Sequence, residues 1–408
     1  MAQSEQEVLV ERLGRYPPDR YPVQHATTQF HLGSMLLHAG EAEAALGALT
    51  AACDVFGRAG MRLEHAKAGV VLGVALRTAG RDDEAAAAFS SAGAEFAALG
   101  QPAEQAAASY NLGLVLQDAG RGSAARIAWN SARELFLAAG LPARAAAAAR
   151  DHGASLLNAG EVAAALPLLE EATALAEQAG DEPGAGAAGN ALGLAHIASQ
   201  DPSAALSALR RALGAFPRGV RPAQHAMVKA NLALAHEQAG DGARARLAAR
   251  QALAVPDAAA PVRAQAQQLL TRLPGNADHD LLTVLDTEER EQRVAVLREE
   301  VLRAAELSAR QRQAIVGGFL AGLLARPGSS YDLAETLLHV VLELPPRPYG
   351  LLISAVVDAC ADHPEKEAER LRAVIGSAMA RFALPQWQRL AASLTAAAAA
   401  AGQTAAWH

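Results

Sequence analysis

The chain has 408 residues, 51% of them hydrophobic but only 4% aromatic, and a formal net charge of -7. That length covers two or three ordinary domains, or one long solenoid with a further module. The acidic balance argues against a nucleic-acid binder, which carries a basic face, and the longest apolar stretch, Ala314 to Ala325, is 12 residues and too short to span a bilayer as a helix.

The opening residues, MAQSEQEVLVERLGRY, lack a basic start followed by an apolar run, so no secretory signal is expected and the chain reads as cytoplasmic. A lead-in of residues 1–24 holds a short helix over about 4–14, with Ser4 and Glu7 in capping-box spacing and an apolar stripe of Val8, Leu9 and Leu13. Pro17, Pro18 and Pro22 end it. Of 36 basic residues only Lys67, Lys229 and Lys366 are lysine, which reads as a GC-rich coding bias. Cys53 and Cys360 lie far apart on predicted apolar faces and read as buried free thiols.

From residue 25 a register of 40 residues takes over. Gly33, Gly73, Gly113, Gly153 and Gly193 recur in step, with Ala233 in the sixth place. Gly40, Gly80, Gly120, Gly160 and Gly240 follow, broken only by Gln200. Ala45, Ala85, Ala125, Ala165, Ala205 and Ala245 hold a third position, and Ala52, Ala92, Ala132, Ala172, Ala212 and Ala252 a fourth. Such a period marks an array of helix pairs. Each unit is an A helix, about His25 to Ala39 in the first, closed by glycine, then a B helix from about Ala42 to Arg58. Glycine after the A helix suits a left-handed C-terminal residue. Glycine inside the A helix, as at Gly33, forgoes about 1 kcal/mol of helix propensity, which implies close approach of a neighbouring helix. Ala45 and Ala52 are the expected small partners.

In the third unit the pattern reads Leu112, Gly113, Leu116, Gly120, Ala125, Trp129 and Ala132. It resembles the tetratricopeptide repeat. The 40-residue unit, with a glycine after a long B helix at Gly60, Gly100, Gly140 and Gly180, is similar to the subclass in kinesin light chains, Leu-Gly-Asn adaptors and several bacterial regulators. The resemblance implies an all-α fold: a right-handed superhelical solenoid of six helix pairs over 25–273, its last helix, Pro261 to Leu273, solvating the array. Residues 274–286 read as a polar linker, 287–400 as a separate helical domain and 401–408 as a frayed tail. In the helical domain Val294, Leu297 and Val301 mark one helix, Leu333, Leu337, Val340 and Leu344 another, and Trp387, Leu390 and Leu394 the last.

The resemblance also implies that the A helices line a concave groove taking a protein or peptide. The residue before the repeat leucine faces it: His31, Asn111, Asp151 and Asn231 among the six. Groove asparagines in this subclass clamp peptide amides, which casts Asn111 and Asn231 as a pair able to give and accept hydrogen bonds. Tyr110, Gln117, Arg150, Asn158 and Asn190 are expected beside them, with Arg77 and Asp118 within reach. His152 replaces a leucine, and His196 with His236 stand where an aromatic residue packs; without a third ligand these read as core histidines rather than a metal site. Asp278-His279-Asp280 reads as solvated linker, and the helix around Glu299 and Arg303 as a solvated charged face. Phosphate-loop, dinucleotide, nucleophile-elbow and zincin patterns are lacking, so neither an enzyme nor a cofactor is expected. The expected role is a protein- or peptide-binding adaptor, with self-association left open. A ligand-sensing bacterial regulator and a biosynthetic accessory with a pocket in the C-terminal domain are the alternatives.

Overall fold

A computed structural model describes residues 2–256, 258–275, 277–403 and 407, without the side chains of 2–4 and 277–279. The described residues are helical or in connecting turns, and the contacts divide them into two compact units, 1–216 and 217–408. This is an α-solenoid of consecutive helix pairs, as the register implies.

Unit 1 opens with α1 (Ala2–Arg15) and continues through five A/B pairs: α2 (Pro22–His38) with α3 (Ala42–Arg58), α4 (Arg62–Thr78) with α5 (Asp82–Ala98), α6 (Pro102–Asp118) with α7 (Gly122–Ala138), α8 (Pro142–Asn158) with α9 (Val162–Gln178), and α10 (Glu182–Ala198) with α11 (Pro202–Ala215). Each A helix ends in the same double bond; in the first, Gly40 N–H donates to Leu37 and Glu41 N–H to Leu36, with Gly40 at φ +83°. Gln200 adopts this left-handed turn without being glycine, at φ +62°, so the register of the fifth pair holds despite the substitution.

The A-helix glycines answer to a different partner from the one expected. A Cβ on Gly33 would stand 2.6 Å from Leu49 Cγ, one on Gly73 2.8 Å from Phe89, one on Gly113 2.5 Å from Trp129 Nε1 and one on Gly193 2.5 Å from Leu209. The glycine makes room for the bulky residue of its own B helix, while Ala45 and Ala52 let the backbones close. In the sixth pair both positions of this exchange are alanine, Ala233 and Ala249, and both are fully buried.

The lead-in also follows the register. Tyr16-Pro17 and Phe216-Pro217 stand five repeat lengths apart, each followed by a proline-led helix reading Gln-His-Ala at 24–26 and 224–226. Their turns match: Tyr21 N–H donates to Pro17 at 2.9 Å and Arg221 N–H to Pro217 at 2.9 Å. Helix α1 is therefore a B-type helix. Where the other B helices carry two alanines it carries Glu5 and Arg12, both exposed. It begins at Ala2, so Ser4 lies in its first turn rather than at its cap, and the Ser4 side chain is outside the described residues.

Unit 2 holds α12 (Pro222–Gln238), α13 (Gly242–Leu253), α14 (Ala260–Arg272), α15 (Ala277–Thr287), α16 (Arg290–Glu306), α17 (Ala309–Ala325), α18 (Ser330–Leu342), α19 (Pro346–Ala361), α20 (Glu365–Met379) and α21 (Leu384–Ala400). From α15 onward each helix packs mainly on the next but one, giving α15, α17, α19 and α21 in one layer and α16, α18 and α20 in the other. Prolines open helices here, as at Pro346, and Pro345 and Pro364 are N-caps.

Three expectations are revised in this unit, because residues in short polar contexts find partners brought by distant segments. The expected linker is α15, whose Leu281, Leu282, Val284 and Leu285 are buried together with Leu247 of α13. Asp280 is 3% exposed and held by Arg246 Nε at 2.9 Å and Arg250 at 2.7 Å; Asp278 and His279 lie outside the described side chains. The expected tail, 401–408, does begin where α21 ends at Ala400, but Trp407 within it is buried in the same core, although 404–406 and 408 are outside the described residues. The face around Glu299 is not solvated either. Lys229, only 8% exposed, donates to Glu299 at 2.5 Å and to Gln251 at 2.8 Å; His225 Nε2 lies 3.2 Å from Glu299; Gln251 donates to Glu300 at 3.0 Å. The sixth helix pair is thus joined to α16 through buried charge.

Candidate functional site

An A helix repeats a face every three to four residues, so Tyr110, Leu114, Gln117 and Asp118 share one face of α6, and Arg150, Asp151, Ala154 and Asn158 one face of α8. Because equivalent residues of successive A helices stand about 40 apart in sequence, the two faces meet side by side. They enclose an open pocket of about 380 Å³ that also takes in Ser155 and, from the B helix between them, Trp129.

The polar groups of this pocket are interlocked. Tyr110 Oη donates to Asp151 Oδ2 at 2.6 Å, and Arg150 Nε donates to Asp151 Oδ1 at 2.8 Å. Arg77 Nε donates to Asp118 Oδ2 at 2.7 Å, tying α4 to α6. Ser155 Oγ donates to Gln117 Oε1 at 2.8 Å, tying α8 to α6. Burial, and then the neighbouring Asp151 carboxylate, push the Tyr110 phenol well above its ordinary range, so it stays a neutral donor. Burial alone would lower Arg150, but Asp151 outweighs it and the guanidinium is held charged. With both oxygens of Asp151 engaged, the arrangement is one of fixed donors and acceptors rather than a nucleophile set beside a base.

Six of the eleven residues singled out in the sequence therefore line one pocket: Tyr110, Gln117, Asp118, Arg150, Asp151 and Asn158. Arg77 reaches it through Asp118. His31 is exposed on α2, edge-on to Phe30 with ring centroids 5.6 Å apart, and outside the pocket. The two groove asparagines sit in different surroundings. Asn111 turns Nδ2 back to the Ala107 carbonyl of its own helix at 2.9 Å. Asn231 is 4% exposed and accepts a hydrogen bond from Gln265 of α14 at 3.1 Å, because the solvating helix covers the face that an open groove would leave bare. Asn190 is buried as well, at 6%.

Sequence reasoning missed Leu114, Ala154, Ser155 and Trp129. Ser155 carried a signal: its equivalents are Met35, Ala75, Val115, Ala195 and Ala235, and a hydroxyl among them needs a partner. His152 is half-buried, with an Nδ1 that finds no hydrogen-bond partner. Burial, and then Arg126 and Arg133, lower its affinity for a proton, so it packs as a neutral ring. Cys53 and Cys360 are free and buried, with burial raising their thiols to about 11 and about 12.

No protein-family model and no curated protein matches the chain. Among solved structures, the apo form of RapI is 10% identical over 87% of this chain and 97% of that one, with a TM-score of 0.53. BtubC from P. vanneervenii is 17% identical over 55% of this chain and 91% of its own, with a TM-score of 0.47. Cut9, solved with Hcn1, is 19% identical over 67% of this chain and 47% of its own, with a TM-score of 0.46. At these identities the likeness is one of fold. The resemblance to tetratricopeptide-repeat arrays read from the sequence holds in the structure.

Proposed function

We propose that the chain is an adaptor or sensor that binds a peptide segment or protein partner on the A-helix face of unit 1, centred on the pocket between α6 and α8. The observation that carries this reading is the convergence of six polar residues from two successive repeats on one open pocket, five of them with hydrogen bonds fixed in advance. Preformed donors and acceptors lower the ordering cost of binding, and repeat arrays present such surfaces along their length. A bacterial cytoplasmic setting belongs to the same reading; no helix among the described residues is long and apolar enough to cross a membrane.

The test is affinity capture with mass spectrometry, comparing the wild-type chain with Ala154→Tyr, which fills the pocket from α8, and Asn158→Trp, which crowds its exposed rim. A partner recovered by the wild type and lost from both variants, with helicity unchanged, supports the reading. Identical partner sets for all three proteins refute it.

A further inference from the structure

The charges around the α6–α8 pocket cancel in place. Arg150 is held by Asp151 through Nε at 2.8 Å and Nη2 at 2.7 Å, and Tyr110 closes the other carboxylate oxygen at 2.6 Å. The Arg150 and Asp151 side chains are only 30% and 17% exposed, so water screens this pair less than it screens a surface pair. A guanidinium has five N–H donors and each carboxylate oxygen two lone pairs, so a charged ligand group can approach without displacing either partner. An acidic group at Arg150 would, however, lie beside the Asp151 carboxylate, which already offsets that charge and repels a second anion, and a basic group at Asp151 would meet the Arg150 guanidinium in the same way. Either approach brings a charge into a part-buried pocket whose own charges already cancel, so its desolvation is not offset. At the outer rim Asp118 is matched by Arg77 at 2.7 Å, in a setting wet enough to weaken its pull on either sign of charge.

The other polar groups of the pocket are uncharged. Gln117 spends its carbonyl oxygen on Ser155 and keeps its amide N–H groups, and Asn158 stands exposed at the end of α8. Leu114 and Ala154 supply apolar wall, and the volume of about 380 Å³ suits a short stretch of chain rather than a folded surface.

Resting on the groove reading above, we propose that this pocket selects an uncharged peptide segment, its main-chain amides meeting Gln117 and Asn158 and an apolar side chain seated against Leu114 and Ala154. Acidic and basic side chains are excluded from the pocket.

The probe is a set of N-acetylated, C-amidated pentapeptides in three pools: uncharged, the same sequences with a central Asp, and the same with a central Lys. Binding to the full chain is measured in 50 and 500 mM NaCl, and again with Ala154→Tyr and Asn158→Trp. Uncharged peptides are expected to bind, to lose about tenfold in affinity on gaining either charge, and to be lost from the two variants. Their affinity should change less than about twofold between the salts, since no net charge is neutralised. If charged peptides bind as tightly as their uncharged parents and are still lost from the variants, the neutral-segment inference falls and the groove reading stands. If no pool binds, or if bound peptides ignore both variants, the groove reading fails and takes this inference with it. Should Ala154→Tyr not fold, Asn158→Trp carries the comparison alone, because position 158 is exposed.

Discussion

Glycine to alanine should change sign along this array according to what faces the missing Cβ. At Gly47, on the exposed side of α3, nothing lies within 4 Å of a built Cβ. Gly47→Ala is therefore expected to gain the helix-propensity difference of about 0.5–1 kcal/mol. At Gly113 the same Cβ would lie 2.5 Å from Trp129 Nε1, 2.6 Å from Cδ1 and 2.8 Å from Cε2. Trp129 is 2% exposed and rigid, so the ring cannot swing away as a long flexible side chain would. Overpacking of this kind costs about 1–3 kcal/mol. Set against the propensity gain of about 1 kcal/mol, it leaves Gly113→Ala about 0–2 kcal/mol less stable. The decisive measurement is a double-mutant cycle read by urea denaturation, followed by circular dichroism. In a Trp129→Ala background, where the ring is gone, adding Gly113→Ala should turn stabilising and recreate the alanine pairing of positions 233 and 249. If Gly113→Ala stabilises the wild-type chain as Gly47→Ala does, the indole is not what holds glycine at this position, and the account of the A-helix register is wrong.

Further expectations concern unit 2 and the thiols. Lys229→Met leaves Glu299 charged under cover and should destabilise unit 2 by about 3–5 kcal/mol, whereas Lys229→Met with Glu299→Leu should recover most of that loss, as thermal melts of the three proteins would show. Burial alone would raise Glu299, but His225 and Lys229 together hold its carboxyl below the usual range. Its stabilising contribution is then present above the unfolded value of about 4.3 and lost as pH falls through the lower folded value. Melting temperatures below about pH 4 should accordingly drop more steeply for the wild type than for Glu299→Gln. A fragment of residues 217–408 should show native-like cooperative melting, while 274–408, stripped of Leu247, Arg246 and Arg250, should melt at a lower temperature or without cooperativity. Thiol titration at pH 8 should find Cys53 and Cys360 unreactive until denaturant is added, since burial holds both thiols protonated.

The sequence alone determined the array. A 40-residue recurrence of Gly33, Gly40, Ala45 and Ala52 dictates helix pairs, their turns and their close approach, because small residues and left-handed turns act locally and recur from unit to unit, with Gln200 and Ala233 as the departures. It also named most of the pocket, since the resemblance to the repeat family implies a groove lined by the A helices and so by Tyr110, Gln117, Arg150, Asp151 and Asn158. Tertiary structure decided which of those faces stay open. Asn231 has the same place in its helix as Asn111, and nothing local to it foretells that α14 will cover it. The same holds for α15 and α16, whose charged residues read as solvated until Asp280 meets two arginines and Glu299 meets Lys229. Local pattern specifies a helix and its faces, but burial depends on what a distant segment brings against them, and that is a property of the whole fold.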